Sequence, residues 1–553
     1  LSEALENPME ETTYVGSNGP VTGAAESLVG NLGMPEMGGS YYTFSDENNY
    51  MIWQALKSCH ERGWIYLGAD AMPWCPRCST GISQHEIVTE GYQELTHTSV
   101  YVLFRLKDKE GALLVWTTTP WTLTSNVAAA VHPELDYVKI KYRDEILYLS
   151  KGALNSAIQD QNNVEVICEI KGADMNGWKY TGPYDELPII KEMNVPDAHR
   201  VILWNDVGEE EGTGIVHIAP GAGKEDLELG KKHGLPAPAP LDDYGVIIDG
   251  FDWLSGMHVY DSAEPIFEDL RRKDLLYRTQ KYTHRYPTCW RCGSELVFRH
   301  VSEWFINMGE KLDKDFEDVT KEEKANNLRY QIMDSANDVR WIPSFGLKRE
   351  LDWLRNMDDW MISKKRYYGL ALPIWRCECG WFDVIGSKEE LKERAIEGWE
   401  EFEGHSPHRP FIDAVKIKCE KCGKTVSRIE DVGNPWLDAG IVGFSTLQYR
   451  QDRKYWEKWF PAHFITESFP GQFRNWFYAM LSESTILERR TPYLTCLGHG
   501  QVLAEDGREM HKSWGNDIWF DDAAENMGAD VIRWIAASAK PENNLLFGYN
   551  KAN

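Results

Sequence analysis

The period of hydrophobic and polar positions changes along the chain, and each change predicts a different kind of element. From Ser45 the pattern reads as a helix: Ser45 caps it, Asp46 and Glu47 fill the first turn, Ile52, Leu56 and Cys59 recur along one side, and Gly63 stops it. The first forty residues, rich in Gly, Pro, Met and Glu, show little periodicity and read as loop. Between about 97 and 220 short alternating runs take over, at 99–104, 112–117, 137–142 and 164–170. Turn residues separate them, which predicts a β-rich module of barrel type. Beyond about 280 the two periods mix, and 474–487 and 530–539 read as amphipathic helices. The chain therefore reads as α/β, then β-rich, then α/β.

Composition narrows this. A chain of 553 residues, 42% hydrophobic and 26% charged, has room for three or four domains of about 150 residues. No apolar run approaches the ~20 residues of a membrane span, so no membrane partner is expected. A net charge of −27 argues against indiscriminate binding of polyanions but leaves room for one local basic face. Lys348-Arg349 and Lys364-Lys365-Arg366 are candidates for such a face, and a solvated charged surface is the alternative. The opening Leu1-Ser2-Glu3 carries no signal segment, and a processed or partial chain is expected.

Eight of the eleven cysteines fall in close pairs: Cys75/Cys78, Cys289/Cys292, Cys377/Cys379 and Cys419/Cys422. Two thiolates on a tight turn reach one Zn²⁺ at ~2.3 Å, and two such knuckles complete a tetrahedral site. The last two pairs lie close in sequence and predict a local ribbon. The first two flank the β-rich block and are expected to join each other at its base. Two zincs are implied, both structural, because four thiolates leave no open position. Such usage favours a reducing compartment over disulfides.

Three other segments concentrate chemistry. In Trp116-Thr117-Thr118-Thr119-Pro120-Trp121-Thr122-Leu123-Thr124-Ser125-Asn126, hydroxyls and an amide gather at one strand end, where they either orient a water or ribose hydroxyl or merely cap a β-branched strand. In Gly212-Thr213-Gly214-Ile215-Val216-His217-Ile218-Ala219-Pro220 a histidine ends a buried strand, and Glu225-Asp226 follow at a helix start. Gly221-Ala222-Gly223-Lys224 lacks the glycine spacing and the following Ser/Thr of a phosphate loop, which excludes that reading. Near the C-terminus, His499-Gly500 precedes Arg508-Glu509-Met510-His511-Lys512-Ser513-Trp514-Gly515-Asn516. A lysine on such a loop can neutralise charge developing on phosphorus, and a solvated loop is the alternative.

Together these segments resemble the class I aminoacyl-tRNA synthetases for branched aliphatic amino acids, most closely the isoleucyl branch. The family pattern WTTTPWTLPAN is matched except that Thr124-Ser125 replace Pro-Ala, and GTGxVHxAPxxGxDD is matched except that it ends Lys224-Glu225-Asp226. The lysine loop resembles KMSKS, with Glu509 for the first Lys and His511 for the first Ser. The 360–369 stretch resembles WxISRQRxWG, and 467–477 resembles EGxDQxRGWF with one extra residue after Glu467 and Gly471 in place of Asp. The resemblance implies that Thr118, Thr119 and Asn126 line an editing pocket, that Asp226 holds the ammonium of a misattached aminoacyl group, and that His217 contacts the terminal adenosine or the substrate. It assigns catalysis to Lys512, Ser513 and His499, and binding of the amino acid and its adenylate to Glu467, Gln472, Trp476 and Trp360.

The implied fold is α/β: a Rossmann-like catalytic domain split by an inserted β-barrel editing domain, plus a zinc-ribbon insertion. The expected division is a catalytic part with the first knuckle over 1–95, editing domain over 96–283, return to the catalytic domain with the second knuckle over 284–374, zinc ribbon over 375–430, and second catalytic half over 431–553. The implied activity is ATP-dependent joining of isoleucine to tRNA(Ile), with Mg²⁺ accompanying ATP and hydrolysis of Val-tRNA(Ile), in a cytoplasmic monomer. Valyl or leucyl specificity, and an editing or tRNA-binding relic without activation chemistry, stay open. The family's early HIGH motif and helical anticodon-binding segment are not found, so an internal piece of a longer enzyme is expected.

Overall fold

The computed structural model describes residues 6–16, 19–31, 45–82, 87, 91–366, 369–469, 471–512 and 515–552. They divide into two compact units, Leu1–Leu67 with Trp304–Asn553, and Gly68–Glu303.

In the first unit the predicted capped helix forms as Asp46–Glu61, with the Ser45 hydroxyl facing the Asn48 amide and Gly63 at φ +71° ending the turn. Its side carrying Ile52, Leu56 and Cys59 is buried in a core built also from Trp304, Trp341, Trp456 and Tyr493. A parallel sheet runs in the order Arg340–Ile342, Thr495–His499, Ile465–Ser468. Helix Trp476–Glu488 forms where a helix is expected, but it is not amphipathic. Every residue from Phe477 to Ile486 is buried, the polar Ser482, Glu483, Ser484 and Thr485 included, and a helix with no solvent face belongs inside a layer. Helix Ala529–Ser538 is the reverse case, with no buried residue and Trp534 75% exposed.

The reading of the N-terminal stretch as loop is corrected. Glu11–Gly16 and Gly19–Ala24 pair as an antiparallel hairpin, followed by helix Ala25–Gly30. The signal for it is the Gly16-Ser17-Asn18-Gly19 run of turn-favouring residues between two short β-favouring runs.

The same unit holds a small cysteine-bearing module. Ile374–Arg376 pairs with Phe382–Val384, and Ala395–Glu397, Lys416–Lys418 and Thr425–Ser427 form a second sheet over a core that includes Trp375 and Phe402.

In the second unit the runs read as strands are strands. Six of them line up as Val164–Lys171, Asp136–Tyr142, Glu145–Ser150, Ala112–Thr117, Tyr92–Arg105 and Leu276–Pro287. The two outer strands of this sheet are not paired with each other among the described residues. A separate sheet places Ala128–Val131 between Val201–Leu203 and Val216–Ile218. Among the described residues no helix is long and apolar enough to cross a membrane.

Candidate functional site

Glu467 and His499 come from the C-terminal ends of two neighbouring parallel strands, in the register Glu467↔Gly498 and Ser468↔His499. Ligands of open α/β sheets bind in the crevice at these ends, where the loops diverge. The His499 Nδ1–H donates to the Gly500 carbonyl at 2.8 Å, which leaves Nε2 as the ring's acceptor. The chain leaving Glu467 turns through Gly471–Arg474, and Gln472 Oε1 accepts the Trp476 backbone N–H at 3.1 Å. Gln472 thus caps helix Trp476–Glu488 with its oxygen and keeps its amide N–H groups for other partners. The Trp476 indole N–H donates to the Ala439 carbonyl at 3.0 Å, which fixes the ring plane. Trp360 lies deeper, 6% exposed and edge-on to Tyr478 at 5.0 Å, as a core aromatic.

The Lys512 ammonium stands 4.6 Å above the ring of Trp519, which is itself 58% exposed. The two departures from the family's loop pattern meet each other, with His511 Nε2 3.3 Å from Glu509 Oε2, while Gln501 Nε2 donates to Glu509 Oε1 at 3.3 Å. Asn516 closes the loop: its Oδ1 accepts the His511 N–H at 2.9 Å and its Nδ2 donates to the Glu509 carbonyl at 2.8 Å. Ser513 lies outside the described residues. Of the basic runs, Lys365 is paired with Asp431 at 2.7 Å, and Arg349 stacks on Phe345 with 5.2 Å to the ring centre.

The second centre belongs to the Gly68–Glu303 unit. Strand Ala112–Thr117 passes through Thr118 and Thr119 into the tight turn Pro120–Ser125, and Pro120 at its first position starts that turn. The Thr119 N–H donates to the Thr117 hydroxyl at 3.1 Å. The Thr122 hydroxyl donates back to the Thr119 carbonyl at 2.7 Å and lies 2.9 Å from His217 Nε2. His217 is buried, and desolvation pushes its pKa down to about 4. Asp226 stands in the first turn of helix Lys224–His233, where its Oδ2 accepts the Ala219 N–H at 2.8 Å. Burial pushes the Asp226 carboxyl up to about 6; the Ala219 hydrogen bond acts against that shift, and Glu225 adds to it.

The structure therefore gathers the threonine turn, His217 and, through Ala219, Asp226. Asn126 faces inward: its Nδ2 donates to the Ala128 carbonyl at 2.9 Å and its Oδ1 accepts the buried Tyr180 hydroxyl at 2.8 Å. Its amide holds the exit of the turn against the neighbouring strand. Thr122, not singled out from sequence, is the residue that touches His217. The signal was present as a fourth threonine three positions after Thr119, in a proline-initiated turn.

Both cysteine clusters assemble as the spacing predicts. Cys75, Cys78, Cys289 and Cys292 form one and Cys377, Cys379, Cys419 and Cys422 the other, with the sulfurs of each set within 4.8 Å of one another. The Cys75–Cys292, Cys377–Cys422 and Cys379–Cys419 separations are 3.5, 3.5 and 3.7 Å. Tetrahedral thiolates at ~2.3 Å from a metal stand about 3.8 Å apart, so the donor sets fit Zn²⁺.

Three curated relatives, each named isoleucine–tRNA ligase, resemble the chain at similar levels. That of Methanothermobacter marburgensis is 37% identical over 92% of this chain and 46% of its own length. That of Clostridium tetani is 38% identical over 90% and 46%, and that of Methanocaldococcus jannaschii 37% over 90% and 47%. The chain spans about half the length of the curated relatives it matches. Residues 29–547 match the family model for class I tRNA synthetases (I, L, M and V), and the chain belongs to that family.

Proposed function

We propose that this chain carries the amino-acid activation and hydrolytic editing parts of an isoleucine–tRNA ligase. The observation that carries the reading is the shared name of relatives 37–38% identical over nine-tenths of the chain. In this reading the Leu1–Leu67 and Trp304–Asn553 unit activates isoleucine with ATP and Mg²⁺, and the Gly68–Glu303 unit, as the barrel-type editing domain, clears valine from tRNA(Ile). The cysteine-bearing module around Trp375 is the zinc ribbon. A thiolate-bound Zn²⁺ at each cluster supplies rigidity to the knuckles and no open coordination position.

In activation, the isoleucine carboxylate attacks the α-phosphorus of ATP and pyrophosphate departs; a hydroxyl of the tRNA 3′ end then takes the acyl group. Gln472 amide N–H groups and the Glu467 carboxylate hold the adenylate, the fixed Trp476 ring borders the side chain, and His499 contacts the nucleotide. Lys512 leaves the Trp519 ring to meet the phosphate charge, a task that the family pattern gives also to Ser513, the next residue in the sequence. In editing, an ionised Asp226 receives the substrate ammonium, and Thr118 and Thr119 position the attacking water. Editing is needed because a pocket distinguishes one methylene by only about 1–3 kcal/mol, a limit for which isoleucine against valine is the standard illustration.

The test is ATP–pyrophosphate exchange by the full-length parent enzyme across isoleucine, valine and leucine. Isoleucine turnover above both others is expected, with Lys512→Ala lowering kcat by about a hundredfold or more. Stronger turnover of valine or leucine overturns the isoleucyl assignment. For editing, Asp226→Ala abolishes deacylation of Val-tRNA(Ile) and spares exchange; unchanged deacylation removes Asp226 from the site.

A further inference from the structure

The Thr122 hydroxyl has two neighbours, the Thr119 carbonyl oxygen at 2.7 Å and His217 Nε2 at 2.9 Å, and only one proton to give. A carbonyl cannot donate, so a proton spent on Thr119 requires that the contact with His217 be an imidazole N–H donating to the hydroxyl. The reverse assignment would put the ring proton on Nδ1. That atom is buried and has no hydrogen-bond partner among the described residues. An N–H has a single proton and direction to satisfy, so a buried orphan donor is disfavoured relative to a buried orphan acceptor. Both arguments place the proton on Nε2.

We propose that Thr122 is a positioning residue that fixes His217 as the Nε2–H tautomer, so that Nδ1 stands as a bare acceptor for an O–H donor at the ester end of the substrate. The functional half of this rests on the editing reading above; the tautomer itself does not. The acceptor lies on strand Val216–Ile218, and the Ala219 N–H that holds Asp226 follows directly after that strand. Burial keeps the ring uncharged at neutral pH, so Nδ1 can accept there. During hydrolysis the water oxygen bonds to the acyl carbon, the bond between the acyl carbon and the ribose oxygen breaks, and a water proton ends on that ribose oxygen. Nδ1 accepts a hydrogen bond from the water or from the vicinal ribose hydroxyl and holds it in line, with no net proton gain.

The experiment labels the histidines of the whole chain with ¹⁵N, assigns His217 by its loss in His217→Gln, and reads each ring nitrogen from long-range ¹H–¹⁵N couplings. The expected spectrum shows a pyridine-type Nδ1 and a pyrrole-type Nε2 at neutral pH. Thr122→Val, which keeps shape and removes the hydroxyl, mixes the tautomers, and Thr122→Ser restores the single form. An Nδ1–H tautomer in the unaltered chain, or a tautomer indifferent to Thr122→Val, overturns the proposal.

In parallel, Thr122→Val is expected to lower kcat for Val-tRNA(Ile) hydrolysis about tenfold or more with KM little changed, and Thr122→Ser to recover it. A Thr122→Val kcat equal to that of the unaltered chain overturns the functional half. Substrate lacking the vicinal ribose hydroxyl distinguishes the donors: a variant effect that vanishes assigns the ribose hydroxyl, and one that persists assigns water. An unaltered chain that shows the predicted tautomer and hydrolyses no Val-tRNA(Ile) refutes the editing reading and leaves the Thr122 assignment standing.

Discussion

Asp226 and His217 are perturbed in opposite senses by the same cause. Burial lifts the Asp226 carboxyl from 3.8 to about 6 and lowers the His217 imidazole from 6.5 to about 4. Between those values the folded protein holds a proton on Asp226 that the unfolded chain releases, and lacks one on His217 that the unfolded chain binds. The two proton differences cancel, so the pair leaves stability nearly flat over this window although each residue alone does not. With His217→Gln only Asp226 titrates, and the melting temperature relative to the unaltered chain should rise as pH falls from about 6 to 4. With Asp226→Asn only His217 titrates, and the relative melting temperature should fall as pH falls from about 6.5 to 4. Thermal melts at stepped pH check both signs. On the editing reading, hydrolysis of Val-tRNA(Ile) should decline as pH drops through about 6, because the ammonium is assigned to an ionised Asp226. The residue types of this site are legible in the sequence, since hydroxyls, a histidine and an acid at strand and helix ends are uncommon together. Their orientation is not, because it depends on which hydrogen bonds close. Asn126 reads as a pocket amide until Tyr180 and Ala128 take up its oxygen and nitrogen.

Among the elements, those with local signals are the ones a sequence discloses. Helix Asp46–Glu61 carries its cap, its acidic first turn and its glycine stop in consecutive residues, so nothing distant is needed to place it. Helix Trp476–Glu488 is legible as a helix and not as a buried one, since Ser482, Glu483, Ser484 and Thr485 put a polar turn in it that reads as exposed and that tertiary packing encloses. Glu483 shows the cost: both carboxyl oxygens are buried without a partner among the described residues, and burial holds its pKa far above the ordinary range. The knuckles are the clearest case, because cysteine spacing encodes a turn and a ligand pair at once. Metal analysis of the purified chain should find close to two zincs. Cys419→Ser should remove one of them and lower the melting temperature, whereas the deacylation rate, which the proposed reading assigns to the Gly68–Glu303 unit, should change little.

For the whole molecule, a chain made of residues 68–303 alone should fold cooperatively and bind one zinc, because its six-stranded sheet, the sheet around Ala128–Val131 and its cysteine cluster are complete within those limits, and on the proposed editing reading it should hydrolyse Val-tRNA(Ile). Calorimetry, metal content and deacylation measure this in one preparation. Alternating runs make the β-rich character of this unit evident, but the order of its six strands depends on long-range pairing, such as Tyr92 with Pro287, that no local pattern specifies. The first cysteine cluster gives this layout a temporal meaning. Cys75 and Cys78 are made early and Cys289 and Cys292 late, near the two ends of the segment that separates Leu67 from Trp304. Closing a loop of that length in an unstructured chain costs about 5 kcal/mol of entropy. If the four thiolates capture their metal as the nascent segment emerges, the loop is closed before most of the residues after Trp304 are synthesised. Those residues then meet partners already waiting. Zinc supply during translation would on this view decide how fast the unit built from both ends of the chain assembles.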